Sequence, residues 1–347
     1  MKTHRIGLIG LGGMAHSHLN WIKELERFEI VAISDINLSA LEQFGERLSI
    51  DNSKRYSDYK QLIDDEDVEA VVSVTPNNIH ADIMAACIEA CKPFLGEKPF
   101  TRTIEEARQV FEQFQQKPIP AMIGFSYRYT PAFRYIRELI KQGSIGEVRS
   151  FSIQYLQGWG TAKTPYIWRF DKEITGTGTL GDLGSHMIDM ARFLFGEFKG
   201  LSAQMKTIIP ERIHPETKQL MQVEVDDYAS FQARMTGDVM GIFHTTRNAV
   251  GSGNQHEVSV YGDFGTLHAS TVNPDQIIWI KEEAPDQFVK QIIDVPQQHK
   301  LKQYEQFLAL LDGTADETLP TVEDGYRNQQ VLEAIVQSSE QKTVIEL

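Results

Sequence analysis

The chain has 347 residues, 41% of them hydrophobic and 24% charged, a composition that supports large buried cores and favours two domains. Its formal net charge is −14 at pH 7, which argues against nucleic acid or an anionic membrane as partner and otherwise reads as solubility. Its two cysteines, Cys87 and Cys91, fall in one expected helix at a spacing that suits neither a redox pair nor zinc, so small buried thiols in a reducing, cytoplasmic setting are expected.

Lys2, His4 and Arg5 open the chain and a short apolar run follows, which reads as a strand and not as a leader peptide. No stretch is long and apolar enough to span a membrane, and neither repeats nor low-complexity tracts occur. Residues 5–11 suit a buried parallel strand. They lead into Gly10-Leu11-Gly12-Gly13-Met14-Ala15, a G-x-G-x-x-A pattern, with a helix expected over about 14–26. Gly10 permits the tight turn, Gly12 lets a pyrophosphate approach the backbone, and Ala15 is small enough for close helix–strand packing. The helix N-terminus then receives the phosphates. Glycines alone say little, but here strand, glycines, helix, a second strand over 29–34 and a terminal Asp35 come in order. Asp35 is expected on the adenosine ribose hydroxyls. Ile36 and Asn37 follow it with no lysine or arginine for a 2′-phosphate, so NAD is favoured over NADP.

A helix is expected over 38–48, then a buried strand over 68–75 that stops at the turn Pro76-Asn77-Asn78. A helix over 80–90 precedes a short strand at 92–96, which ends at Glu97-Lys98-Pro99. Thr103 and Glu106 suggest a capping box for a helix over 103–115, and residues 121–125 give one more strand. This alternation implies a doubly wound parallel sheet, whose ligands bind beyond the strand C-termini. Thr75, Asn77, Glu97, Lys98 and Tyr127 stand there.

After Ser126 the rhythm changes. A helix over 131–142, closed by Gly143, precedes longer alternating strands at 149–157, 202–208, 227–235 and 239–246, the last two joined at Gly237-Asp238. A hairpin around Gly262-Asp263-Phe264-Gly265 joins 256–261 to 266–269, with a further strand at 276–281. The expected fold is therefore α/β: an N-terminal Rossmann domain over 1–126 and a second α+β domain over 127–347 with an open, mostly antiparallel sheet. Helices over 300–311 and 322–339 end the chain.

One stretch carries the densest chemistry. Gly176-Thr177-Gly178-Thr179 feeds a helix over 180–195 that opens Leu180-Gly181-Asp182-Leu183-Gly184-Ser185-His186 and continues to Asp189. Asp182 and His186 share a helix face, with Asp189 on the same side. A carboxylate one turn from an imidazole orients it and raises its pKa, which is how a general base is built. Taken alone, the pattern is equally an acidic helix start with a surface histidine. Lys98 faces the ligand crevice or is a solvated lysine, and Glu97 pairs with Lys98 or another cation or is a surface charge. Trp168 and Arg169 wall the nicotinamide, or Trp168 joins a core. Tyr127 and Arg128 are candidates for substrate hydroxyls. His16 and His18 read as structural, and His244 and His256 as core or surface. No His, Cys, Asp or Glu set has metal spacing, so no metal is expected.

The order of these motifs resembles the Gfo/Idh/MocA oxidoreductases, named for glucose–fructose oxidoreductase, inositol dehydrogenase and a rhizopine-catabolism protein. The matching elements are Gly10-Leu11-Gly12-Gly13-Met14-Ala15, Thr75-Pro76-Asn77 with His80, Glu97-Lys98-Pro99, Gly124-Phe125-Ser126-Tyr127-Arg128, Trp168-Arg169, Gly181 to His186 with Asp189, and Tyr261-Gly262 with Gly265-Thr266. The resemblance implies a bound NAD whose nicotinamide faces the second sheet. It implies catalytic Lys98, Asp182 and His186, matching the lysine, aspartate and histidine of inositol dehydrogenases. Cofactor contacts are then expected from Gly10, Gly12, Gly13, Met14 and Ala15, from Asp35 and Ile36, from Thr75, Pro76, Asn77 and His80, and from Glu97, Lys98, Trp168 and Arg169. Substrate contacts are expected from Lys98, Tyr127, Arg128, Asp182 and His186. The chain departs from the family at Gly96, where many members carry cysteine, and at Leu183, where inositol dehydrogenases often carry a polar residue, which leaves the substrate open.

The expected function is hydride transfer between NAD and a secondary alcohol of a sugar, polyol or cyclitol, by a cytoplasmic homodimer or homotetramer. Two other readings stand beside it: a sensor that binds cofactor and sugar without turnover, and an NAD-dependent glycosidase. The sequence names neither the sugar, nor the carbon oxidised, nor the physiological direction, nor the isomer of the Lys98–Pro99 bond.

Overall fold

The computed structural model describes residues 2–347. The chain divides into two compact units, one built on residues up to Gly124 together with Lys302–Arg327, the other on Phe125–Leu301 and Asn328–Leu347.

The first unit runs β1 (His4–Ile9), α1 (Gly13–Lys23), β2 (Phe28–Ser34), α2 (Leu38–Leu48), β3 (Arg55–Tyr56), α3 (Tyr59–Asp64), β4 (Ala70–Ser73), α4 (His80–Glu89), β5 (Phe94–Gly96), α5 (Ile104–Gln116) and β6 (Ala121–Ile123). Its strands pair in parallel in the order β3-β2-β1-β4-β5-β6. The order reverses between β1 and β4, which opens a crevice at their C-terminal ends. Helices on both faces demand apolar strands, and Ile6, Leu8, Val71, Val72, Leu95 and Met122 are wholly buried. Side chains stop the helices from fraying: Asn37 accepts from Ser39 and Ala40 N–H at the start of α2, and Thr103 and Glu106 form the expected capping box on α5.

The second unit runs α6 (Pro131–Lys141), β7 (Val148–Gln157), α7 (Lys172–Thr175), α8 (Ser185–Phe195), β8 (Phe198–Lys206), β9 (Glu211–Ile213), β10 (Leu220–Gln222), β11 (Tyr228–Met235), β12 (Met240–Thr246), β13 (Asn254–Gly262), β14 (Gly265–Ser270), β15 (Gln276–Ala284) and β16 (Gln287–Asp294). The chain then forms α9 (Gln303–Leu311), which belongs to the first unit, α10 (Val322–Gln341), which starts there and continues in the second, and β17 (Ile345–Glu346). The large sheet has the order β16-β15-β14-β13-β7-β12-β11-β8-β17. Its neighbours are antiparallel except β7 with β12. Alternate residues Phe151, Ile153, Phe231, Phe243, Val258 and Val260 face inward and bury against Phe133 and Ile136 of α6 and Met187 and Ile188 of α8.

The expected second domain, 127–347, gives up 302–327 to the first unit. Tyr304 and Phe307 of α9 pack edge-on and stacked against Phe28, so this return segment completes the first core. β16 was not expected, because Phe288, Lys290 and Ile292 share an exposed face at a sheet edge and the opposite face is only half-buried, so no buried signature marks it.

Candidate active site

In the first unit, β1 ends where the chain must turn sharply. Gly10 has φ +87°, and a Cβ there would lie 2.4 Å from the Val74 carbonyl oxygen, so only glycine fits. At Gly12 and Gly13 a Cβ would meet nothing within 4 Å. These two residues keep open space in front of α1, whose N-cap is Gly12 and whose first turn holds no capping side chain and no acidic residue. The first N–H groups of α1 therefore point at a gap that suits a pyrophosphate, and Ala15 is wholly buried behind them. Asp35, at the end of β2, accepts from Leu11 N–H at 2.6 Å and from Asn37 N–H at 2.8 Å. It ties the glycine turn to the start of α2, and each oxygen keeps a second lone pair for a ribose hydroxyl. Ile36 and Met14 are exposed beside this turn, Ile36 at 91%. The residues present fit a dinucleotide.

Thr75, Pro76 and Asn77 follow β4 in a tight turn, as expected. His80 is buried below it. Its Nε2 lies 2.9 Å from the Thr75 carbonyl and its Nδ1 2.8 Å from the Pro99 carbonyl. Burial pushes its pKa below the ordinary value, only partly opposed by those carbonyls. His80 thus joins the Thr75 and Pro99 turns from within, a different place from the expected cofactor contact. Lys98 follows β5 and its bond to Pro99 is cis.

Glu97 accepts from Lys98 N–H at 3.1 Å and lies 3.0 Å from Nε2 of the wholly buried His18 on α1. The other ring nitrogen of His18 stands 2.7 Å from the Tyr304 hydroxyl of α9. Burial works against the Glu97 carboxylate, but hydrogen bonding and attraction from His18 and the charge of Lys98 hold its pKa below the usual range. So the side chain that Glu97 meets is the His18 imidazole, and Glu97 braces the backbone of Lys98. A Cβ on Gly124 would come within 2.8 Å of Glu97 Oε1, which explains the glycine there.

In the second unit, the stretch 180–195 is not one regular helix. Leu180–Gly184 forms a π-helical turn before α8, so Asp182 and His186 do not have the plain α-helical offset that the sequence suggested. Asp226 sets this start. Buried, it accepts from Gly178 N–H at 2.6 Å and Leu180 N–H at 2.7 Å, and burial raises its pKa against those two bonds. A Cβ on Gly178 would lie 2.0 Å from the Asp226 carbonyl. Asp182 faces two arginines: Arg247 donates to its Oδ2 at 2.9 Å, and Arg169 Nε lies 4.0 Å from the same oxygen. Arg169 also stacks 4.4 Å over the ring of Trp168, and burial lowers its pKa despite the attraction of Asp182.

His186 is buried on α8, with the Tyr127 ring edge-on at 4.6 Å. The Tyr127 hydroxyl lies 2.7 Å from that of Tyr155, which donates to Asn254 Oδ1 at 2.7 Å. Gln157 donates to the same Asn254 oxygen at 2.7 Å, and Trp159 donates to Gln157 at 2.6 Å. A row of hydroxyl and amide groups therefore stands beside His186. Behind it, His256 is wholly buried, stacked on Tyr155, and burial pushes its pKa down to about 3. Asp189 is buried and gripped by Arg128, with Nη2 to Oδ1 at 2.6 Å and Nε to Oδ2 at 2.9 Å. That pair welds the segment before α6 to α8. The structure thus places Arg128, expected on substrate, against Asp189.

Arg247, Asp226, Tyr155, Gln157 and Asn254 escaped the sequence reading. They lie tens of residues from the motifs they serve, and no local pattern marks them. The paired acids Asp226-Asp227 just before β11 were the one available signal.

Two family models match the chain. Residues 4–125 match the oxidoreductase family with an NAD-binding Rossmann fold, and residues 133–268 match the GFO/IDH/MocA C-terminal domain. The chain belongs to the Gfo/Idh/MocA family. It is an NAD-dependent oxidoreductase of that family. Levoglucosan dehydrogenase of Pseudarthrobacter phenanthrenivorans is 29% identical, covering 100% of this chain and 99% of the relative. Myo-inositol 2-dehydrogenase of Thermotoga maritima is 26% identical over 80% of this chain and 79% of its own length. A solved levoglucosan dehydrogenase in complex with NADH and L-sorbose superposes with a TM-score of 0.91 at 30% identity, covering 100% of this chain and 99% of that one. Both units thus have family counterparts, and the observed sheets are those of the expected fold.

Proposed function

We propose that this oxidoreductase is a dehydrogenase for a secondary alcohol on a sugar, polyol or cyclitol. The observation that carries this reading is the row of hydroxyl and amide groups from Tyr127, Tyr155, Asn254 and Gln157 beside His186. An apolar wall would suit a simple alcohol, whereas this row suits a ring bearing several hydroxyls. The relatives support it: enzymes named for levoglucosan, glucose 6-phosphate and myo-inositol all take such rings.

Oxidation of an alcohol needs a proton removed, a hydride accepted and charge on oxygen stabilised. Bound NAD⁺ supplies the hydride acceptor at its nicotinamide ring. Gly12, Gly13 and the start of α1 would hold its pyrophosphate, and Asp35 its ribose. His186 takes the hydroxyl proton as general base. Asp182, held by Arg247, fixes His186 and the substrate hydroxyls electrostatically. The Lys98 ammonium donates to the reacting oxygen and stabilises its developing charge.

The enzyme works in the cytoplasm, in keeping with the free thiols of Cys87 and Cys91. It works as a homodimer or homotetramer. Register aligns Ile292, Ile278 and Ile242 along one row of the large sheet's outer face, where Ile242 and Ile292 are more than half exposed. Such a face is the natural bed for a second copy.

A spectrophotometric screen of sugars, anhydrosugars and cyclitols with NAD⁺ tests the reading. NADH formation with at least one ring alcohol, absent with simple aliphatic alcohols, is expected. Tight NADH and sugar binding without turnover would replace it with a sensor, and bond cleavage without net NADH formation with a glycosidase.

A further inference from the structure

We propose that Arg247 is a positioning residue for Asp182, acting on the reaction through that carboxylate. The inference rests on the reading of Asp182 as part of the site.

Arg247 follows β12 and is 1% exposed, the largest wholly buried side chain in the described residues. Burying a guanidinium is costly, so its contacts show what it is for. One arm donates to Asp182 Oδ2 at 2.9 Å and to the Gly178 carbonyl at 3.1 Å. The other arm reaches the Arg169 carbonyl at 3.4 Å, and the guanidinium carbon lies 5.1 Å from the Trp159 ring centre. The fork therefore spans the side chain of the π-helical turn, the glycine lead-in and the backbone of the Trp168-Arg169 segment. The Asp182 side chain is 25% exposed against 1% for its partner. The cation sits behind the carboxylate, and the carboxylate meets the open side.

This arrangement answers a problem set by local structure. A π turn, with i→i+5 bonds, shifts the angular offset of Asp182 from that of a regular α-turn. Arg247 holds that side chain from another strand, and supplies counter-charge that Arg169 at 4.0 Å only supplements. The planar fork matters as well as the charge, since two fixed nitrogens reach the three acceptors, which a single ammonium cannot do in the same geometry.

The test is a double-mutant cycle on the full-length enzyme, with Arg247→Met, Arg247→Lys, Asp182→Asn and the two doubles. Folding is checked by circular dichroism and NADH affinity by fluorescence titration. Arg247→Met is expected to lose on the order of tenfold to a hundredfold in kcat, the range for a hydrogen bond to a charged group. Arg247→Lys should recover part of that loss, and NADH affinity should stay at the wild-type value in all variants. In the Asp182→Asn background, either Arg247 change should cost little more. Equal losses in both backgrounds would overturn the inference, because a residue that only supports the fold lowers activity whatever stands at 182. If Arg247→Met fails to fold, the Arg247→Lys pair reads the same cycle. Wild-type turnover in Asp182→Asn alone would instead overturn the reading of Asp182, a separate outcome.

Discussion

Asp35 holds two backbone N–H groups, and any phosphate on the adenosine ribose would meet its charge with no cation in the neighbouring sequence. The wild-type enzyme should therefore prefer NAD over NADP by about a hundredfold in kcat/KM, a few kcal/mol of charge opposition. Asp35→Ala should narrow that gap. It should also weaken NAD itself, because Leu11 N–H loses its acceptor and the glycine turn loosens. Equal efficiency of the wild type with both cofactors would refute the assignment. At this scale the sequence was readable where a structural role is local. Gly10, Ala15 and Asp35 serve one turn and its two flanking strands, so spacing alone located them. Arg247 and Asp226 were hidden because each reaches its target across the fold. Arg128 shows the converse: its place beyond the last Rossmann strand suggests a substrate contact, while the fold pairs it with Asp189.

The Arg128–Asp189 pair makes a prediction for the elements that it joins. Both side chains are nearly dry, at 5% and 2% exposure. Arg128→Leu leaves a buried carboxylate uncompensated and should cost about 3–5 kcal/mol by chemical denaturation. In the folded fraction KM should be little changed if the role of Arg128 is to hold Asp189. A large rise in KM with full stability would reverse that reading. The sheet beneath α8 makes a second. With its pKa down to about 3, His256 enters the folded state neutral, while unfolded it titrates near 6.5. The native state then binds fewer protons, so stability falls as pH drops below 6.5 and continues to fall until about 3. The slope from this group is up to about 1.4 kcal/mol per pH unit. Denaturation curves at several pH values should show a shallower acid decline in His256→Phe than in wild type, and identical declines would contradict the argument. Among the elements themselves, α5 was legible because its capping box, Thr103 with Glu106, lies in the sequence. The π turn was not, since Leu180-Gly181-Asp182-Leu183-Gly184 has the same periodicity as an ordinary helix start, and only Asp226 marks the difference.

On the scale of the whole molecule, the change of rhythm after Ser126 suggests two domains, and the chain divides into two compact units whose first division falls at Gly124/Phe125. The return of 302–327 to the first unit was invisible, because nothing in an amphipathic helix says which core it joins. The outer face of the large sheet argues for self-association. Light scattering at micromolar concentration should give a dimer or tetramer mass, and Ile242→Lys with Ile292→Lys should lower it. A monomer in the wild type would dismiss the interface.

The central claim is that His186 removes the proton in an NAD-dependent oxidation of a ring alcohol. The most direct measurement is the pH dependence of turnover for wild type and His186→Ala on one accepted substrate, with NADH affinity taken alongside. The account predicts a loss of roughly a hundredfold or more in kcat, a flattened acid limb and unchanged NADH binding. Near-full turnover with the acid limb intact would contradict it and assign the base to another group.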